Sequence, residues 1–365
     1  MDAFNLPLNP VSFGQISTSL VRYLFEEKRE ISLFPIGNID LSAQDFVIKQ
    51  DQYSRDFQEW IGRGIVNAMD NFKRKKSLFK LWHLNGSMES FSDNQSLLSF
   101  YELNMPTKAE INIINNNYQV FFSSQYTVDI FKQYGVKNVN YMPLFFDRYN
   151  FSKKDKNYFD DDRVVFNLVG KLEKRKNHLK IIRAWAKKFG NNNKYFLQCA
   201  LFNPFLKPED QNRMIASALD GIGYFNIQFL NFMQHNSIYN DFLNSANIII
   251  GMSGGEGWGL PEFHSVAIGK HAVIMNGHGY KSWANSENAT LVNPSKQMID
   301  SEDGIFFRKN LPYNQGQIFD FNEDDFISAC EEAALKVGKN KVNSNGLKLQ
   351  QDFSIEKFVS KLDNL

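Results

Sequence analysis

Short apolar runs alternate with segments of helical periodicity along most of the chain. Ile31–Ile36, Phe79–Leu84, Val120–Ser123 and Val139–Leu144 read as strands of a first half. Val164–Val169, Tyr195–Leu201, Ile227–Leu230, Ile248–Gly251 and Ala272–Met275 read as strands of a second. Several of these runs are apolar without alternation, the pattern of parallel strands covered on both faces. Between them, Ile181, Trp185 and Phe189 recur every fourth residue, with Asn177 where an N-cap should stand. Ser354 is placed to cap a short final helix whose Phe358 and Leu362 share a face. The strand–helix rhythm predicts doubly wound α/β domains. The charged stretch Phe151–Arg163 has almost no apolar pattern and marks a linker. We therefore expect one domain over 1–155, a second over 156–345 and a terminal helix within 346–365.

A length of 365 residues suits two domains. Cations and anions nearly cancel, to a formal charge of +1, so no global field recommends a nucleic-acid partner. Cys199 and Cys330 have no metal-ligand spacing and lie in apolar stretches, as buried free thiols of a reducing compartment would. The start of the chain has no basic, then apolar, signal-peptide pattern, and no apolar run is long enough for a transmembrane helix. A cytoplasmic location is the expectation. Asp160-Asp161-Asp162 contains an Asp-x-Asp spacing that could hold a metal-diphosphate, but it precedes a strand, whereas the ligand crevice of such sheets lies beyond strand C-terminal ends. A solvated linker is the preferred reading. His264, His271 and His278 recur every seven residues across a loop and a strand, which is no metal-ligand pattern.

Two loops carry the candidate chemistry. Strand Ile248–Gly251 runs into Met252-Ser253-Gly254-Gly255-Glu256-Gly257-Trp258-Gly259, and a helix begins near Leu260-Pro261, where proline fits the first turn. Glycines let a backbone approach a ligand closely, the helix start offers free N–H groups to an anion, and Glu256 can accept hydrogen bonds from sugar hydroxyls. A tight structural turn would use the same glycines. Strand Val164–Val169 ends in Gly170-Lys171-Leu172-Glu173-Lys174-Arg175-Lys176-Asn177, a second loop loaded with cations. Lys171 and Lys176 are the expected diphosphate contacts, and Arg175 is expected to face solvent or to support the diphosphate from outside. A solvated basic turn is the alternative.

Together these residues resemble the GT-B retaining glycosyltransferases of family 4 (glycosyl transferases group 1). The Gly-Arg/Lys-x4-Lys element is matched by Gly170, Lys171 and Lys176, and the Glu-Gly-Phe/Trp-Gly-Leu-Pro element by Glu256, Gly257, Trp258, Gly259, Leu260 and Pro261. Asn9–Gly14 resembles the family's early glycine loop, Phe100-Tyr101-Glu102 an aromatic-aromatic-Glu element, and His83 a loop residue near the donor sugar. Ser123-Ser124 before a helix, and Met142-Pro143-Leu144 leading to Asp147, resemble the pattern before the linker. Gly277–Trp283 and Asn314-Gln315-Gly316 resemble virus-encoded members. The resemblance implies two Rossmann-like domains facing a cleft, acceptor side first and donor side second, with the last helix crossing back to the first domain. It also implies metal-independent transfer with retention from a nucleotide sugar such as a UDP- or GDP-sugar. Lys171, Lys176, Glu256 and His83 would be catalytic. Gly14, Gly170, Gly255, Gly257, Trp258, Gly259, Leu260 and His264 would bind the donor, and Glu102 would meet acceptor or sugar.

One departure stands out. His264 replaces the family's second glutamate, which holds the ribose hydroxyls. Glu262, about 200° away around a helix, is not expected to substitute. A different ribose contact, a different donor and lost activity all remain open. The acceptor is a saccharide, a protein or a modified DNA base. For the DNA base the run Lys73-Arg74-Lys75-Lys76 is the candidate basic groove, with a solvated turn as the alternative. A catalytically silent nucleotide-sugar-binding protein and a sugar-nucleotide epimerase are the remaining alternatives.

Overall fold

The computed structural model describes residues 1–365. The first half runs β1 (Ala3–Leu6), α1 (Ser12–Glu26), β2 (Ser32–Pro35), α2 (Asp45–Ile48), α3 (Gln52–Asp70), β3 (Leu78–Leu81) and β4 (Gln95–Ser99). It continues with α4 (Lys108–Asn115), β5 (Gln119–Phe122), α5 (Gln125–Gln133) and β6 (Val139–Tyr141). The second half runs β7 (Val164–Gly170), α6 (His178–Phe189), β8 (Tyr195–Leu201), α7 (Pro208–Ala218), β9 (Ile227–Phe229), α8 (Asn236–Ser245) and β10 (Ile248–Gly251). Then come α9 (Leu260–Ala267), β11 (His271–Met275), β12 (Thr290–Val292), β13 (Met298–Asp300) and β14 (Gln317–Phe319). Four helices close the chain: α10 (Glu323–Lys339), α11 (Ser344–Leu347), α12 (Leu349–Asp352) and α13 (Ile355–Asp363).

Each half is built on a six-stranded sheet whose neighbours all pair in parallel. The orders are β2-β1-β3-β4-β5-β6 and β12-β11-β10-β7-β8-β9. The strand order reverses between β1 and β3 in one sheet and between β10 and β7 in the other. Helices leave opposite faces at such a point, so a crevice opens beyond the strand C-terminal ends. Both glycine and basic loops identified from the sequence leave β10 and β7, and His83 follows β3.

The central strands are held as their sequence predicts. β7 is buried on both faces, and Phe166 meets Trp185 and Phe189 of α6 at ring-centroid distances of 6.0 and 6.2 Å. Trp185 is fully buried, so truncation to alanine would cost about 3–5 kcal/mol. Where the structure departs from the sequence reading, local polar groups explain it. β1 and β4 were not anticipated, because Asn5 and Gln95 interrupt the apolar runs. Both are buried, and their amide nitrogens donate to the Phe34 carbonyl at 2.8 Å and to Asn117 at 2.7 Å. β3 ends at Leu81, and Leu84–Gly86 forms a 3-10 turn. Asn177 does stand at the N-cap of α6, but with φ +58° it makes no capping bond, and its amide instead donates to the Met252 carbonyl at 3.0 Å.

The halves are joined on two sides. The chain crosses at residues 146–163 and returns through 347–355, where the Phe146 N–H donates to the Phe353 carbonyl at 2.7 Å. Beyond that crossing, Ser354 caps α13, whose Phe358 packs on Phe145 and Phe79 of the first half at 5.0 and 6.3 Å. On the other side the antiparallel ribbon β13–β14 reaches the first half. Asn104 accepts from the Gln317 N–H and Glu110 from the Asn314 N–H, both at 2.8 Å. Lys73–Lys76 lies in an exposed turn before β3, at the end of the first sheet opposite the crevice. Asp160–Asp162 lies in the connecting stretch before β7.

Candidate active site

The basic loop starts at Gly170, whose φ of +134° excludes most side chains and whose Cα faces the His178 ring. A 3-10 turn over Lys174–Lys176 then turns Lys176 inward. Its ammonium ion-pairs with the Glu256 carboxylate, and both side chains are at least nine-tenths buried. Burial opposes ionisation of Glu256, but Lys176 and Arg175 outweigh it and hold the carboxyl down at about 2. Lys171, the other expected cation, sits apart from this pair. It is 38% exposed, bonds Glu173 at 3.2 Å and lies over the Phe306 ring at 4.6 Å. A third cation, Lys174, caps the Glu302 carbonyl at 2.9 Å.

Arg175 corrects an expectation. Its side chain is 12% exposed and lies among three carboxylates rather than out in solvent. It lies 3.0 Å from Glu173, 3.1 Å from Glu256 and 3.9 Å from Glu102 of the first half. Its guanidinium also donates to the Gly255 carbonyl at 2.7 Å. No sequence pattern distinguishes three consecutive cations; the turn alone selects which ones face inward.

The glycines of the β10 loop are explained by protein contacts. A Cβ on Gly255 would lie 2.7 Å from the Glu102 carbonyl oxygen, and one on Gly257 would lie 2.8 Å from Phe100 Cβ. One on Gly254 would strike the Phe319 carbonyl of the ribbon at 2.2 Å. The Ser123 hydroxyl donates to the Gly257 carbonyl at 2.8 Å. Gly259, with φ +83°, lies against the Tyr280 ring. Trp258 is buried between Phe263 and Phe353 at 5.3 and 5.4 Å, and its carbonyl accepts from Trp283 Nε1 at 2.8 Å. α9 then begins at Leu260 with Pro261 in its first turn. Gly14 behaves in the same way: it lies inside the first turn of α1, where a Cβ would strike Asn9 at 2.2 Å.

From the first half, His83 opens onto the cleft beside Phe13, with ring centroids 4.4 Å apart, and Phe13 stacks on Phe100 at 4.1 Å. His83 is exposed on the cleft, and partial desolvation, with Lys171 adding to it, lowers its pKa and favours the neutral imidazole. Burial raises Glu102, against the pull of Arg175.

Both ring nitrogens of His264 are bonded within the protein. Nδ1–H donates to the Leu260 carbonyl at 2.8 Å, and Nε2 accepts the Asp147 N–H at 3.3 Å. The ring stacks on Phe151 at 4.2 Å, so it packs against the crossing segment. Burial pushes it down to about 4. Glu262, two residues earlier, faces the opposite way and lies in the site's floor. A Cβ on Gly251 would meet Glu262 Cγ at 2.7 Å and the Tyr280 hydroxyl at 3.2 Å. Burial raises Glu262, Glu256 adds to the rise, and the group stands at about 7 despite Lys176. Neither Glu262 nor Tyr280 carries a sequence signal for this position beyond its place in a motif. No three His, Cys, Asp or Glu side chains gather as a metal site, and no helix is long and apolar enough to cross a membrane.

No family model matches the chain, and no curated protein matches it by sequence. Solved structures match it over its whole length. Sucrose-phosphate synthase from Thermosynechococcus elongatus has a TM-score of 0.66 at 13% identity, covering 100% of this chain and 98% of that one. The catalytic domain of starch synthase IV from Arabidopsis thaliana, bound to ADP and acarbose, has a TM-score of 0.67 at 9% identity, covering 100% and 98%. HepE from Anabaena, in complex with UDP-glucose, has a TM-score of 0.65 at 12% identity, covering 100% of both chains. The chain has the GT-B fold of these glycosyltransferases.

Proposed function

We propose that the protein is a glycosyltransferase that moves a sugar from a nucleotide-sugar donor to an acceptor hydroxyl. One observation carries the reading: the β7 and β10 loops meet at the switch point of the second sheet and set the buried Lys176 on the buried Glu256. A switch-point crevice is where such sheets take ligands. UDP-glucose in the similarly folded HepE supports a nucleotide sugar as the ligand.

In the reaction the bond from the anomeric carbon to the leaving diphosphate breaks and a bond to the acceptor oxygen forms. The acceptor proton passes to the departing phosphate oxygen, and attack from the leaving-group face retains the configuration. Lys176 and Lys171 offset the charge that develops on the diphosphate, the fixed electrostatics that commonly dominates catalysis. Glu256, held ionised, accepts hydrogen bonds from sugar hydroxyls. The neutral His83 faces the sugar from the first half. In this reading the transfer proceeds without a divalent ion. The donor's ribose is held by groups other than His264, whose two ring nitrogens are already bonded.

The test is incubation with a panel of UDP- and GDP-sugars, followed by NMR of the product's anomeric proton. Transfer or slow hydrolysis with retained configuration is expected. Inverted product would refute the same-face mechanism, and a nucleotide sugar isomerised without acceptor would make the protein an epimerase.

A further inference from the structure

Three loops from two domains converge on one guanidinium. The Arg175 carbonyl accepts from the Gly254 N–H at 2.7 Å and the Ser253 hydroxyl at 3.1 Å. Its side chain donates to the Gly255 carbonyl at 2.7 Å and bonds Glu256 at 3.1 Å. Main chain and side chain therefore hold the glycine loop from both sides. The same group meets Glu173 at 3.0 Å on its own loop and approaches Glu102 at 3.9 Å across the cleft. Gly255 closes the triangle, because its Cα lies directly against the Glu102 carbonyl.

We propose that Arg175 is a positioning residue that aims the Glu256 carboxylate and, through Glu102, ties that aim to closure of the two halves. The inference rests on the reading of this pocket as the donor site. The guanidinium donates to the Gly255 carbonyl and Glu256 through one nitrogen while its other nitrogens face Glu173 and Glu102 as ion pairs; a lysine carries the charge but not this planar spread. Glu256 has two cationic neighbours, and the two do different work. Lys176, ion-paired with Glu256 alone, is the cation assigned to the diphosphate. Arg175 is enclosed by protein acceptors and keeps Glu256 ionised and in place when the diphosphate draws on Lys176. When the halves separate, Glu102 leaves, and Arg175 loses its only partner from the first half.

The test uses Arg175→Gln, Arg175→Lys and Glu102→Gln in the full chain. Three readouts are followed: titration of the Glu256 carboxyl by carbon NMR, kcat and KM for the donor, and the distance between spin labels. The labels go at the exposed positions Met69 and Leu335, on α3 and α10, while the native Cys199 and Cys330 are buried. Arg175→Gln is expected to raise the Glu256 titration, to lower kcat by about 10²-fold with KM changed far less, and to broaden the label distances. Arg175→Lys should restore the low titration but not kcat. Glu102→Gln, the mildest change, should broaden the distances and leave the titration in place. Wild-type titration and distances in Arg175→Gln would overturn the proposal, as would full recovery of kcat in Arg175→Lys. If no nucleotide sugar turns over, the donor-site reading fails, while titration and distances still decide the role of Arg175.

Discussion

Restoring the carboxylate found in similar glycine loops, by His264→Glu, should damage this protein. The imidazole is 2% exposed, donates to the Leu260 carbonyl at 2.8 Å, accepts from the Asp147 N–H at 3.3 Å and stacks on Phe151 at 4.2 Å. A glutamate there loses the donor and the stack. It also places a carboxylate beside Asp147, which is fully buried and already accepts from Gln15 and Asn150. An uncompensated buried charge costs about 3–5 kcal/mol. At roughly 1.3 °C per kcal/mol for a chain of this size, Tm should fall by about 4–7 °C. His264→Gln keeps an amide donor and acceptor and should lose only the stacking contribution, about 0.5–1.5 kcal/mol. Differential scanning calorimetry reads both, and calorimetric titration with UDP- and GDP-sugars reads the site. A His264→Glu protein of unchanged Tm that binds such a donor more tightly would show that the position faces the ribose after all.

Lys176→Ala should lower turnover by about 10²-fold, and Lys171→Ala by clearly less, because Lys171 is half-exposed and paired with Glu173; equal losses in steady-state kinetics would contradict the distinction. Gly257→Ala puts a Cβ 2.8 Å from Phe100 Cβ and should lower both Tm and activity, whereas Gly62→Ala, in open space on α3, should leave activity unchanged and raise stability by up to about 1 kcal/mol; the reverse order in thermal melts would count against the close approach of the halves. Stability should fall as pH drops from about 6.5 toward 4. Burial holds His178, His264 and His278 neutral in the fold, down to about 3, 4 and 4, so the unfolded chain binds protons that the folded chain does not. Glu262 opposes this, since the fold keeps its proton up to about 7 while the unfolded carboxyl ionises near 4.5, and Glu102 and Glu110, also raised by burial, act in the same sense. Urea midpoints at pH 7 and pH 5 measure the balance, and a higher midpoint at pH 5 would refute it.

The parts of the fold legible in the sequence were those whose burial is two-sided and local. Val164–Gly170 and Ile248–Gly251 are almost wholly apolar and carry central strands. β1 and β4 were illegible because the amide nitrogens of Asn5 and Gln95 find acceptors only on residues that folding brings to them. β13 and β14 lie in a polar stretch whose apolar Ile318 joins a core made largely by the first half. At the site, the position of the two loops was legible, since a strand followed by glycine or by cations is a local pattern. What the glycines approach was not: Gly255 and Gly257 meet Glu102 and Phe100, more than a hundred residues earlier. The same limit applied to Arg175, whose inward turn depends on carboxylates from three loops, and to His264, whose partners lie on the crossing segment.

The claim that Lys176 and Glu256 line a donor site is tested most directly by thermal melts of the wild-type protein and Lys176→Ala against a panel of nucleotide sugars. At about 100 times its dissociation constant, a true donor stabilises the fold by roughly 2.7 kcal/mol. Such a shift is expected in the wild type for at least one UDP- or GDP-sugar, with its loss or strong reduction in Lys176→Ala. No shift with any donor, or an equal shift in both proteins, would contradict it.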